Sequence, residues 1–389
     1  MQVFSAVFLL ILTLAITVEA KTCPRECSCD TQHATCEGRG HTKIPRGFPA
    51  KTQLLDLRGN HFHYLPTNSF PGSGQVVSLH LQFCKIHEIE GGALQGMKNL
   101  LYLYLSDNDL RSLDPKAFAG APRLTYLHLE RNRLAQFPGS GHLSVLHLEE
   151  NAISKLEASG LPSSVSSKLS ELYLSNNNLT VIAKGALDSV SLIALHLDSN
   201  QLTEVPTHTL LETPNLQEFN LSRNSVHWVG PKAFQPISQS LKRLYMDHMG
   251  MEKISRDALL GLGSGLQTLT MRGNQLKELP DLSPLSNLEV VDLRDNPLQC
   301  DCSLLPLRRW MENVSLEVTA TCGHPPDLRV LAKQAKQSKS KRKPEQQPAN
   351  LSPFCRISYN ATLIRFLKVN KNTFSSNCRG GHQEKNYYA

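Results

Sequence analysis

A short phrase recurs through most of this chain, and it is clearest at residues 100–113, which read LLYLYLSDNDLRSL. Written as L-x-x-L-x-L-x-x-N-x-L, it returns with its sixth residue at Leu57, Leu81, Leu105, Leu129, Leu148, Leu174, Leu197, Leu221, Met246, Met271 and Leu293. Successive copies lie 19 to 26 residues apart. A period in the twenties with this signature marks a unit that cannot bury its own apolar face, so the units must stack.

The expected fold is therefore an α/β leucine-rich-repeat solenoid of eleven repeats. Its curved parallel β-sheet would line the concave face, and disulfide-bonded caps would close both ends. In each turn the L-x-L core is a short strand with leucines pointing inward and alternate residues pointing out. Burying one leucine is worth roughly 1.5–3 kcal/mol, and Met246 and Met271 substitute at similar size. The recurring Asn (Asn60, Asn108, Asn132, Asn151, Asn177, Asn200, Asn224, Asn274, Asn296) can both donate and accept where the backbone leaves the strand. Cys84 and Met249 stand at this position in the second and ninth turns, and the ninth is expected to be looser because methionine cannot donate.

Residues 1–20 form an apolar run ending Val-Glu-Ala and read as a secretory signal cut after Ala20. The run falls short of the roughly 20 apolar residues of a spanning helix, so the expectation is a secreted protein with no membrane span. The segments are residues 21–51 as an N-terminal cysteine-rich cap, 52–298 as repeats, 299–328 as a C-terminal cap and 329–389 as a basic, partly disordered tail. Cysteine usage fits export: Cys23, Cys27, Cys29 and Cys36 precede the first turn, where disulfides can seal the open end of the leucine column. Zinc is the competing reading, with only His33 nearby to join the cysteines. At the far end Cys300 and Cys302 lead into a helix with Leu304, Leu307, Trp310 and Met311 on one face. It needs Cys322 and one more partner, Cys355 or Cys378. Cys84 reads as a buried thiol, and an odd cysteine left in the tail offers a route to a homodimer.

The C-x3-C-x-C-x6-C cluster, LYLYLSDNDLRSLDPKAF, LTYLHLERN, LHLQFCKI and LPLRRWMEN together resemble the chondroadherin family of small leucine-rich-repeat proteins of cartilage matrix. The likeness covers Cys23 to about Cys322. It implies an extracellular matrix protein that binds fibrillar collagen and modulates fibril assembly and cell–matrix interaction. In the family's name-giving member, integrin and sulfated glycosaminoglycan are further partners. It also implies bridges Cys23–Cys29, Cys27–Cys36, Cys300–Cys322 and Cys302–Cys355. The tail departs from the family in its length and its extra cysteine.

Two surfaces stand out as working surfaces. The outward position at the centre of each strand reads Asp56, His80, Tyr104, His128, His147, Tyr173, His196, Asn220, Tyr245, Thr270 and Asp292. Rings with a polar tip suit recognition, and Tyr104, His128, His147 and Tyr173 are the candidate collagen contact; an ordinary solvated sheet face is the other reading. The second surface is the run Arg329, Lys333, Lys336, Lys339, Lys341, Arg342 and Lys343, without an acidic residue. Beyond Cys322 there are 13 Lys and Arg against 3 Asp and Glu, although the whole chain carries only +7. Such a run binds polyanions by counterion release, and in a secreted protein these are heparan or chondroitin sulfate, not nucleic acid. Glycosylation sequons start at Asn178, Asn220, Asn313, Asn350 and Asn360.

No H-E-x-x-H, G-x-S-x-G, C-x-x-C or phosphate-binding glycine motif occurs, which argues against an enzyme and against a cofactor. His128 beside Glu130 and His196 beside Asp198 are pairs expected on any charged sheet face. A soluble ligand trap or antagonist of a growth-factor or receptor pathway is the alternative function, because the same scaffold presents its sheet to globular proteins.

Overall fold

The structure is a computed structural model, and it describes residues 23–136, 143–158, 168–263 and 265–299, with 307, 310, 311, 318–322 and 364–365 beyond them. The signal segment, the basic run, Cys300, Cys302, Cys355, Cys378 and the sequons at Asn313, Asn350 and Asn360 lie outside the described residues. Contacts group the chain into two units, residues 1–177 and 178–389.

In the first unit, six three-residue strands run parallel: Leu54–Asp56, Ser78–His80, Tyr102–Tyr104, Tyr126–His128, Val145–His147 and Glu171–Tyr173. Their register is one turn to the next, so that Asp56, His80, Tyr104, His128, His147 and Tyr173 are successive partners. Alternation along a strand then puts Leu55, Leu79, Leu103, Leu127, Leu146 and Leu172 on the other side, each at most 1% exposed. On the face away from this sheet, Tyr64–Leu65 pairs with Glu88–Ile89. Gly120 lets two turns approach closely, since a Cβ there would sit 2.3 Å from the Leu94 carbonyl oxygen.

The second unit repeats the plan with Ala194–His196, Glu218–Asn220, Arg243–Tyr245, Thr268–Thr270 and Val290–Leu298. A six-residue helix, Thr207–Glu212, and a short 3-10 turn, Gln235–Ile237, lie between strands. At its end Thr319–Cys322 joins the last long strand in parallel, and Ile364–Arg365 adds an antiparallel edge. Leu307 and Trp310 are helical and buried, and the Trp310 indole N–H donates to the Leu285 carbonyl at 2.9 Å.

The asparagines bind turn to turn. Asn108 Nδ2 donates to the carbonyls of Leu81, Leu105 and Ser106 at 2.8, 3.0 and 3.1 Å, while its Oδ1 accepts from the N–H groups of Cys84 and Ile86 at 3.0 and 2.9 Å. Asn274 likewise accepts two N–H groups, from Met249 and Met251. Asn132 and Asn151 accept one each, from Leu110 and Leu134. The double acceptors follow the two turns that lack an Asn. The looseness expected at Met249 is thus not found: its side chain is 1% exposed and Asn274 takes its N–H. Cys84 is buried too, and its thiol lies 3.2 Å from the Leu57 carbonyl, the contact an Asn amide would make there.

Cys23–Cys29 and Cys27–Cys36 are joined as disulfides over the open end of the first turn, and the antiparallel pair Ser28–Cys29 with His33–Thr35 leads into Leu54–Asp56. The zinc reading fails here. Cys27, Cys36 and His41, not His33, are the side chains that come together, and the two sulfurs are spent in a bond to each other.

Candidate functional site

Because the strands of the first unit are in register, the rings at their centres stack. His80 and Tyr104 lie 4.5 Å apart by ring centroid, Tyr104 and His128 4.6 Å, His128 and His147 4.3 Å, and His147 and Tyr173 4.4 Å. The last two pairs are within 9° and 2° of parallel. The strand spacing of about 4.8 Å sets this separation, so five rings form one ladder with their faces packed and their edges toward solvent. All four residues read from the sequence as a collagen contact belong to it.

A neighbouring position adds a pair that the sequence reading passed over: Tyr102 stacks on Tyr126 at 4.6 Å. Carboxylates flank the rings. His147 Nδ1 lies 2.8 Å from Glu149, His128 Nδ1 lies 3.5 Å from Glu130, and the Tyr173 hydroxyl donates to Glu171 at 2.8 Å. Each of these lies two residues from the ring column, on the same strand face, so the alternation that exposed His128 beside Glu130 in the sequence would have found the others too.

The titrating groups respond to this packing in different directions. Burial is the largest influence on His147 and acts to lower its pKa, but the Glu149 hydrogen bond and the charges of Glu149, Glu130 and Glu171 together raise it. For His80 burial is the largest influence and lowers its pKa, and the opposing charge of Asp56 does not overcome it. For Glu130 burial works upward, but the contacts with His128 and the charge of His147 bring it below its ordinary value. The Tyr104 hydroxyl is raised, first by burial and then by Tyr102 and Glu130.

In the second unit the same position holds His196, Asn220, Tyr245, Thr270 and Asp292, each half-buried, and only two of these are rings. There the face is an ionic and hydrogen-bonded network. Arg243 and His196 approach Glu218 at 2.6 and 3.4 Å, and the Thr270 hydroxyl donates to Asp247 at 2.9 Å. Asn220 Nδ2 donates to Asp198 at 3.1 Å, whereas Asn178 is exposed. The ring ladder therefore marks the first unit as the candidate binding face. None of its side chains belongs to a group that could hold a metal among the described residues, and the one hydroxyl beside a ring nitrogen there is Ser78, 3.0 Å from His80 Nε2 on the open sheet face.

Stacked turns, in-register parallel strands and a bonded Asn in most turns define a leucine-rich-repeat protein, and the chain belongs to that family. Sequence models of the leucine rich repeat match residues 74–134, 168–189 and 190–248. The chain is homologous to chondroadherin-like protein: it is 46% identical over 313 residues to that of Homo sapiens, a match covering 79% of this chain and 41% of the relative. It is 39% identical over 93 residues to chondroadherin of Rattus norvegicus, covering 24% of this chain and 26% of that one. Keratocan of Mus musculus is 27% identical over 240 residues, 60% of this chain and 53% of the relative. The chain thus spans about two-fifths or less of the length of chondroadherin-like protein and chondroadherin in these matches. Among solved structures, a chain of the octameric complex of latrophilin 3, Unc5D and FLRT2 superposes with a TM-score of 0.68 at 28% identity, covering 78% of this chain and 94% of that one. A chain of the Toll–Spatzle complex shares the fold, with a TM-score of 0.56 at 20% identity over 74% of this chain and 51% of that one.

Proposed function

We propose that this is a secreted extracellular matrix protein without enzymatic activity, which binds fibrillar collagen through the ring ladder of the first unit and so modulates fibril assembly and cell–matrix interaction. The observation that carries the reading is the unbroken stack His80, Tyr104, His128, His147, Tyr173. Collagen is three polyproline-type chains wound together, and aromatic-lined surfaces are the usual docking site for that backbone, because the chain is extended and ordered before it binds. Similarity to chondroadherin-like protein, chondroadherin and keratocan supports the matrix role. Integrin is a further partner under this reading.

The test replaces Tyr104, His128, His147 and Tyr173 with Ser, with circular dichroism to confirm folding. Affinity for reconstituted fibrillar collagen should fall by at least about tenfold. Unchanged affinity in the folded variant would remove the ladder from the function.

The basic run 329–343 is assigned to heparan or chondroitin sulfate on its charge alone. Deleting it should lower the salt needed to elute the protein from heparin, and an unchanged elution point would reject the assignment. Among the described sequons, Asn178 is the better glycan acceptor, because Asn220 is half-buried and already hydrogen-bonded. Peptide mapping of the secreted protein should find Asn178 occupied ahead of Asn220.

A further inference from the structure

The residue just before the Asn position adopts a left-handed backbone in every turn of the first unit: Gly59, Phe83, Asp107, Arg131, Glu150 and Asn176 have φ between 54° and 69°. The turn imposes this, since it must swing the next side chain inward. Glycine and asparagine tolerate such angles at little cost, and a large apolar residue there is an outlier. Phe83 is the one large apolar side chain in this column, and the second unit fills the same position with Ser199, Arg223, His248, Gly273 and Asp295.

Phe83 gains nothing visible from the fold in return. Its side chain is 59% exposed, and among the described residues its ring stacks on no other ring. Its own N–H reaches the Ser106 carbonyl only at 3.4 Å. The next residue in the column, Asp107, is bound to Arg131 at 2.6 Å, so the neighbouring position is ionic. A residue that is strained at the backbone and wet at the side chain is more often kept for contact than for stability.

Its position says which contact. Phe83 follows His80, the first ring of the ladder, by three residues on the same turn. The ladder begins at His80, and Phe83 is an exposed ring on the turn that leaves this same strand. We infer that Phe83 is an apolar anchor of the same binding face, taking a proline or other apolar side chain of the bound collagen triple helix, and that the protein retains it at the expense of stability. This rests on the collagen reading of the ladder.

Three variants test it against reconstituted fibrillar collagen. Phe83→Asn should weaken binding about tenfold and raise the thermal midpoint by about 2 °C. Phe83→Tyr, which keeps a ring, should bind within about twofold of wild type with no gain in midpoint. The ladder variant with four Ser substitutions is the reference. If it loses binding while Phe83→Asn binds like wild type, the anchor is overturned and the collagen reading stands. Should both bind like wild type, the collagen reading falls and takes the anchor with it. A lower midpoint in Phe83→Asn would mean the ring serves packing, which also overturns the inference.

Discussion

Replacing Asn108 with Ala probes how the stack holds its irregular second turn. The amide oxygen of Asn108 accepts from two buried N–H groups, those of Cys84 and Ile86, because Cys84 occupies the place of that turn's own Asn. Alanine leaves both donors without an acceptor at about 1–3 kcal/mol each, so the loss should be about 2–6 kcal/mol. Asn132→Ala is the matched control. Its amide nitrogen also donates to three carbonyls, but its oxygen serves only the Leu110 N–H. Asn108→Ala should therefore exceed Asn132→Ala by one buried N–H, about 1–3 kcal/mol. Urea unfolding followed by circular dichroism, with the two variants compared at equal m-value, measures the difference. Equal losses, or a loss below about 1 kcal/mol for Asn108→Ala, would refute the idea that one Asn does the work of two.

Histidine titrations should separate along the ladder. His147 has a raised pKa, so its stabilising contribution is full below the unfolded value and is lost as pH rises through the folded one; NMR should place its midpoint above that of His80, and Glu149→Gln should lower it. Cys84 is fully buried and its thiol is pushed up to about 11 by burial, so iodoacetamide at pH 8 should label it only after unfolding; rapid labelling of the native protein would contradict the packing. Gly120→Ala should destabilise strongly, since the new Cβ meets the backbone of Leu94 and Gln95, which cannot swing aside; a thermal midpoint equal to wild type would show the turns are not so closely set.

The repeat class, the inward leucines and the identity of the ring column were all legible in the residues, because a strand's two-residue alternation fixes which side chains share a face before any coordinates exist. Leu103 and Tyr104 could be sent to opposite faces from the letters L-Y-L-Y-L alone. The N-terminal bridge pattern came from family resemblance, and the structure carries Cys23–Cys29 and Cys27–Cys36 as expected. What the letters did not contain was register between turns. Repeats here are 19 to 26 residues long, and only stacking decides that His128 sits over His147 at 4.3 Å despite the short fourth step. Compensation was hidden for the same reason: Met249 and Cys84 look like defects within their own turns, and the groups that satisfy their N–H donors, Asn274 and Asn108, belong to the next turn. Each side chain's direction is a local matter of backbone geometry. Which side chain it then meets depends on contacts between turns 19 to 26 residues apart, and these exist only once the chain has stacked.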